Sequence, residues 1–374
     1  MKLVIDSKIP FIRGFAERLG ETVYLPGAEI SASDVKDADV LIIRTRTHCN
    51  CQLLEGSNVK FIATATIGYD HIDTDYLHQA GISWTNCPGC NAASVAQYVK
   101  CSLYRLALAG CWGTDRSAES VFQNLALGIV GVGNVGTQVL RMAQQLGFKQ
   151  ILLCDPPKET QGAADQKGAA DQKGVDFQKF VTLNEVAQQA DIITFHTPLT
   201  HEPTPYPTYH MADAAFFAQV KPSAVIINSS RGEVVDTTAL KEALQQGKLR
   251  EAIIDTWENE PHVDPQLLQR VFIGTPHIAG YSADGKANGT RMSLQAVAHH
   301  FGIDPSPFAA VSAPTLPEGF SYFPEAFDNL STEVPPIIRE ALRHYDPLRD
   351  SIALKQHLDQ FESLRGNYPL RREQ

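Results

Sequence analysis

The sequence predicts an α/β protein built on parallel sheets. Three observations carry this reading. Short apolar runs alternate with helical stretches along most of the chain, the rhythm of strands buried on both faces of a parallel sheet. One run, Leu127–Val130, feeds directly into Gly131-x-Gly133-x-x-Gly136. Polar residues fall at or just after the carboxyl ends of later runs, where open parallel sheets bind ligands.

At 374 residues the chain exceeds one ordinary domain, and 43% hydrophobic content is enough to fill more than one core. Leu3–Ile5, Val40–Ile43, Phe61–Thr64 and Ile82–Trp84 read as strands of a small, flavodoxin-like α/β unit spanning 1–100. Asn91–Gly110 reads as a helix, with Val95, Ala96, Val99, Leu103 and Leu106 at helical spacing. A second unit, 101–280, carries runs at Leu125–Val130, Ile151–Leu153, Ile192–Phe195, Ala224–Ile227, Ala252–Ile254 and Val271–Ile273. Helical patterns such as Asn134–Leu146 and Thr237–Gln246 lie between them. Ser282–Phe301 reads as a further helix that returns to and completes the first unit at about 281–302. From 303 prolines crowd the chain, and a third, smaller segment, 303–374, is expected.

Net charge is 32 − 42 = −10, with no long basic run, which argues against a nucleic-acid groove. No apolar stretch approaches the ~20 residues of a membrane helix. Met1–Asp6 reads as a strand and lacks the features of a secretory leader, so a cytoplasmic location is expected. Seven cysteines make an odd count, and a disulfide framework is not expected. Cys87-Pro88-Gly89-Cys90 is formally a redox pair, and with Cys49 and Cys51 formally a zinc set. The blander reading, cysteines as small buried groups in a loop, is preferred, and no metal is expected. Gly162–Lys167 is repeated at once as Gly168–Lys173. Two polar hexads are too few for a solenoid and read as a surface loop.

The glycine fingerprint gains its meaning from its context. A strand precedes it, a helix follows, and Asp155 ends the next strand. This is the dinucleotide turn of a Rossmann-type, doubly wound sheet. Gly131 permits the turn, Gly133 lets backbone approach a pyrophosphate, and Gly136 lets helix and strand pack closely. The amides of Asn134 and Val135 meet phosphate charge at the helix N-terminus. A carboxylate at Asp155 accepts from ribose hydroxyls and repels a 2′-phosphate, so NAD is expected over NADP.

Three later residues supply chemistry. Arg231, in Asn228-Ser229-Ser230-Arg231-Gly232, follows an apolar run, and a guanidinium grips a carboxylate through two parallel hydrogen bonds. His277, in Thr275-Pro276-His277-Ile278-Ala279-Gly280, carries an imidazole, the side chain suited to removing a hydroxyl proton as hydride leaves carbon. A carboxylate on its far nitrogen would fix the tautomer. Glu260 is chosen for this role, with Glu258 its rival. Arg44 and Arg46 flank Thr45 just after Val40–Ile43 and could surround a substrate phosphate with charged donors, with Thr66 adding a hydroxyl. Strand alternation puts both arginines on one face and Thr45 on the other unless the loop turns.

Together the fingerprint, Asp155, Ser229–Gly232, Glu258–Pro261 and His277–Gly280 resemble the D-isomer-specific 2-hydroxyacid dehydrogenase family over about residues 1–300. The resemblance implies NAD-dependent oxidation of a small 2-hydroxy acid, a phosphorylated one here. It implies catalytic roles for Arg231, Glu260 and His277. It also implies cofactor contacts at Gly131, Gly133, Asn134, Val135, Gly136, Asp155, Thr197, Ser229, Ser230, Arg231, Asp255 and Gly280, and substrate contacts at Thr45, Thr66 and Tyr281. Residues 303–374 are implied to be an α+β dimerisation domain of a homodimer. Two alternatives stay open: another hydroxyacid specificity, and a non-catalytic NAD-sensing protein on the same fold.

Overall fold

A computed structural model describes residues 1–113, 120–164, 180–315, 334–369 and 371–373. The chain divides into two compact units. One comprises Met1–Asn91 and the described residues of Tyr281–Glu318, with Glu373. The other comprises Ala92–Gly280 and the described residues of Gly319–Arg372.

The first unit holds five parallel strands: β1 (Lys2–Asp6), β2 (Glu21–Leu25), β3 (Val40–Ile43), β4 (Phe61–Thr64) and β5 (Ser83–Thr85). Their order is β2-β1-β3-β4-β5, the flavodoxin-like arrangement, which reverses direction between β1 and β3. Every residue of β3 and β4 is buried, which is why both are unbroken apolar runs. β2, Glu-Thr-Val-Tyr-Leu, escaped the sequence reading because it is an edge strand with no fully buried residue. The helix Ala283–His300 packs on this sheet through Leu294, Val297 and Ala298. Its N-terminus is capped by the Ser282 hydroxyl, which accepts from the Gly285 amide, an arrangement worth about 1 kcal/mol.

The second unit holds β6 (Ala126–Val130), β7 (Gln150–Cys154), β8 (Ile192–Phe195), β9 (Val225–Asn228), β10 (Glu251–Ile254) and β11 (Ile273–Gly274), in the order β11-β10-β9-β8-β6-β7. All pairs are parallel. Beyond β7, Leu153 forms a single parallel bridge with Phe180. Counting that bridge as a vestigial third strand restores the doubly wound Rossmann order. The direction of winding reverses between β6 and β8. The helix Asn134–Leu146 lies over one face with Val139, Leu140 and Ala143 buried, and packs beside the helix Ala92–Leu108.

The compact units differ from the expected boundaries in two places. The first unit ends at Asn91 rather than 100, because the helix Ala92–Leu108 buries Val95, Tyr98, Val99 and Leu103 in the core of the second. Residues 303–374 do not separate as a third compact unit among the described residues. Phe308 and Val311 join the core of the first unit, whereas Ile338, Leu342, Leu354 and Phe361 join cores of the second. The described part of this segment is helical: Ser306–Ala310, Pro336–His344, Pro347–Gln356, Leu358–Gln360 and Phe361–Gly366. Most of the tandem repeat, 165–173, lies outside the described residues. All seven cysteines are free, and the Cys87 thiol is buried against the Thr64 and Gly289 carbonyls and the Ser293 hydroxyl. Among the described residues no helix is long and apolar enough to cross a membrane.

Candidate active site

The fingerprint turn lies between β6 and the helix Asn134–Leu146. Gly131 has φ +85°, and a Cβ there would come within 2.7 Å of the His196 carbonyl. A Cβ on Gly136 would collide with the Gly131 carbonyl. Gly133 faces open space. The first and third glycines are therefore demanded by packing, and the second leaves the backbone approachable, as a pyrophosphate requires. Asn134 and Val135 begin the helix and present its N-terminal amides.

Asp155 stands just past β7, and its carboxylate accepts from the amides of Val132 (2.8 Å) and Lys158 (3.0 Å). The Lys158 ammonium returns to the Val132 carbonyl at 2.7 Å. The acid that the sequence marks for the ribose thus also braces the glycine turn. Thr197 follows β8, and its methyl group would crowd any Cβ on Gly131. The neighbouring His196 is partly buried. Its Nε2 lies 2.9 Å from the Thr194 hydroxyl, its Nδ1 has no partner, and burial pushes its pKa down to about 3.

After β9, Asn228 organises the next loop. Its side-chain oxygen accepts from the amide and hydroxyl of Ser230, and its amide nitrogen donates to the Arg231 carbonyl. The Arg231 guanidinium donates to the Ser230 carbonyl at 2.9 Å. The Ser229 hydroxyl is buried without a partner, an orphan consistent with a ligand that completes it. Gly232 is required here because a Cβ would run into the Trp257 carbonyl.

The centre of the site is a hydrogen bond of 2.8 Å between His277 Nδ1 and Glu260 Oε2. His277 sits at φ +56° and is held by its own backbone, its amide donating to the Asp255 and Thr275 carbonyls. The other Glu260 oxygen accepts from the Trp257 amide at 2.9 Å, and Arg365 reaches Oε2 at 3.4 Å. Burial works against ionising Glu260, but His277, the Trp257 amide and Arg365 outweigh it and hold the carboxyl below its usual range. With Nδ1 engaged by a carboxylate, Nε2 is the nitrogen left for a substrate proton. The rival is placed elsewhere: Glu258 accepts from His210 (2.6 Å) and the Thr237 amide (2.9 Å).

Asp255 takes a role the sequence did not suggest. It is 1% exposed, and its carboxylate accepts from the Ile278 and Ala279 amides and the Thr275 hydroxyl, at 2.7–2.9 Å. It braces the loop that carries His277. Tyr98 extends this network to Thr275 at 2.9 Å. The fully buried Arg371 donates to the carbonyls of Ile278 and Ala279, the latter at 2.6 Å, and stacks over Tyr345. Neither Arg365 nor Arg371 could be assigned to this site from sequence, since each lies far along the chain in a segment without strand rhythm. Gly280 closes the loop.

In the first unit, Arg44, Thr45 and Arg46 follow β3, and Thr66 follows β4. β3 and β4 pair in register through Ile43 and Thr64, so these residues share one sheet edge. The Arg44 guanidinium donates to the Lys8 carbonyl (2.9 Å), which brings in a third cation past β1. Thr66 donates to the Gly68 carbonyl and receives a bond from Thr64, which in turn is 3.0 Å from His71 Nε2. Burial pushes His71 down to about 4, so its neutral ring anchors this chain of hydroxyls. Tyr281 lies under the Lys286 ammonium, 4.2 Å from the ring centre.

A parallel sheet with a glycine turn, a switch point and a histidine–carboxylate pair at its carboxyl edge is the arrangement of a nicotinamide-dependent dehydrogenase. The family model described as D-isomer specific 2-hydroxyacid dehydrogenase, NAD binding domain, matches residues 101–279. The D-lactate dehydrogenase of Aquifex aeolicus, solved with NAD and lactic acid, superposes with a TM-score of 0.62 at 24% identity, covering 85% of this chain and all of that one. D-2-hydroxyisocaproate dehydrogenase superposes at 0.65 with 22% identity, over 80% of this chain and 97% of its own. These two establish the fold. Two relatives go further. A protein of Bacteroides thetaiotaomicron named erythronate-4-phosphate dehydrogenase is 48% identical over 100% of this chain and 97% of its own length. One of Escherichia coli with the same name is 39% identical over 100% of this chain and 92% of its own. This chain belongs to the erythronate-4-phosphate dehydrogenase family, within the D-isomer-specific 2-hydroxyacid dehydrogenases.

Proposed function

We propose that this protein oxidises 4-phospho-D-erythronate at C2 with NAD, yielding 2-oxo-3-hydroxy-4-phosphobutanoate, NADH and a proton, a step toward pyridoxal phosphate. The single observation that carries the chemistry is the His277–Glu260 hydrogen bond, read beside the full-length likeness to enzymes bearing that substrate's name. NAD, when bound, supplies the hydride acceptor; Gly131, Gly133, Asn134, Val135, Gly136, Asp155, Thr197, Ser229, Ser230, Arg231, Asp255 and Gly280 form or brace its site. The open approach at Gly133 and the orphaned Ser229 hydroxyl both fit such a group.

His277 takes the C2 hydroxyl proton on Nε2, and Glu260 stabilises the imidazolium so formed. Arg231 grips the substrate carboxylate and polarises the C2 oxygen. Arg44, Thr45, Arg46 and Thr66 receive the phosphate, with Tyr281 beside the substrate. The proton of the Thr66 hydroxyl is committed to the Gly68 carbonyl, so the arginines must supply most of the phosphate donors. NADH formation from 4-phosphoerythronate, erythronate, phosphoglycerate, D-lactate and D-glycerate tests this reading. We expect the first to be preferred by tenfold or more, and Arg44→Ala or Arg46→Ala to erode its advantage over erythronate. Equal rates for all five acids would refute the assignment, and absence of NADH formation from every acid would favour a sensing role.

The protein acts as a homodimer through residues 303–374. Ile337 and Ile352, on helices of this segment, are 61% and 49% exposed and give it an apolar surface to cover. A monomer by light scattering at micromolar concentration would count against this.

A further inference from the structure

Arg365 is a cation that reaches the His277–Glu260 pair from outside the sheet loops. It lies in the short helix Phe361–Gly366, and the seating of that helix explains its aim. Phe361 is 2% exposed and Leu364 packs beside it, in the core that also contains Trp257 and Val263. Those two residues flank the Glu258–Pro261 turn. The apolar side of the helix therefore docks against the turn that carries Glu260, and the guanidinium on its last turn meets Oε2 at 3.4 Å. The same oxygen receives His277 Nδ1 at 2.8 Å.

We propose that Arg365 is a positioning residue for the His277–Glu260 pair: it holds the carboxylate facing Nδ1 and moderates the basicity of the imidazole. This rests on the reading of His277 as the proton acceptor. The physical argument is electrostatic. A carboxylate shared with a guanidinium attracts the imidazolium less than one facing it alone, so the proton taken from substrate is released more readily. Without Arg365 the pair would be a stronger base that surrenders its proton slowly. Asp255 faces His277 from the β10 edge with its oxygens engaged by Thr275, Ile278 and Ala279, and Glu258 is paired with His210. His262, Asp359 and Glu362 line a cleft beside Pro261.

The test uses the full-length protein with Arg365→Ala and Arg365→Lys, and reads two quantities. The first is the titration of the His277 imidazole by NMR without cofactor, its resonances assigned by their loss in His277→Asn. The second is the pH profile of kcat/KM for NADH formation. In Arg365→Ala we expect both the imidazole midpoint and the acid limb to rise by roughly 0.5–1 pH unit, the size of shift a nearby charge produces in a partly exposed group. We also expect kcat to fall more than KM changes, and Arg365→Lys to recover most of both. An unmoved imidazole midpoint in Arg365→Ala would overturn the proposal, whether or not activity or melting temperature fell. So would equal effects of Ala and Lys, which would mark Arg365 as an anchor of its helix only. Wild-type turnover in His277→Asn would instead refute the reading of His277 itself.

Discussion

Asp255 and His277 are tied together in two ways at once: the His277 amide donates to the Asp255 carbonyl at 2.8 Å, while the Asp255 carboxylate accepts from the two amides that follow His277. A non-glycine residue at φ +56° is costly by itself, and these bonds hold it there.

Asp255→Asn should therefore damage catalysis through geometry. An amide presents one acceptor and one donor where the loop demands two acceptors. We expect a loss of about 1.5–3 kcal/mol of stability, the range for a hydrogen bond to a charged group, and a fall in kcat of tenfold or more. Thermal unfolding and steady-state kinetics check both; a variant with wild-type kcat would show that the loop holds itself.

Arg231→Lys keeps the charge and removes the planar fork. We expect kcat/KM to fall at least a hundredfold with little change in melting temperature, because a point ammonium cannot grip a carboxylate at two points. Kinetics with the physiological substrate at saturating NAD decide; an unchanged kcat/KM would sink the clamp.

NAD should be used in preference to NADP, and Asp155→Ala should narrow the gap by tenfold or more. The structure adds a second expectation. Because Asp155 also braces the Val132 amide, the variant should lose affinity for NAD itself rather than simply gain NADP. Ratios of kcat/KM for the two cofactors, with NADH binding by fluorescence, measure both effects.

Stability should fall as pH drops from about 6.5 to 4. His71 and His196 are held neutral in the folded protein, with values near 4 and 3, so on unfolding each binds a proton in this window and favours the unfolded chain. Their contribution is present above the unfolded value and lost as pH falls. Asp350 opposes them. Burial raises it to about 7, so the folded state holds a proton there that the unfolded state releases. From these three groups, two protons bound minus one released leaves one, a contribution of about 1.4 kcal/mol per pH unit. Denaturant unfolding across this range checks it, and His196→Gln should flatten the slope.

The sheets were legible because burial on both faces forces continuous apolar runs, and β1, β3, β4 and β6 to β10 announce themselves this way. β2 does not, since an edge strand can stay half polar. The Glu260–His277 pair was legible because both residues follow strands at the sheet's ligand-binding edge. Between Glu258 and Glu260 spacing could not decide with certainty; the positive φ of Asn259, +61°, turns one acid toward His210 and the other toward His277. Lys8, Arg365 and Arg371 went unassigned, and the bracing bonds of Asp255 went unread, for one reason. Their roles are bonds to backbone or to distant side chains, and local pattern carries no trace of such partners.

The clamp of Arg371 on the Ile278 and Ala279 carbonyls spans more than ninety residues of chain. A fragment ending near residue 280 would contain the whole dinucleotide fold and the entire Arg–Glu–His trio, yet its catalytic loop would lack the arginine that closes it. Modular dissection should therefore separate two properties that the intact protein joins: such a fragment would retain every strand of its sheet, but its active loop would settle only once the distal segment has docked.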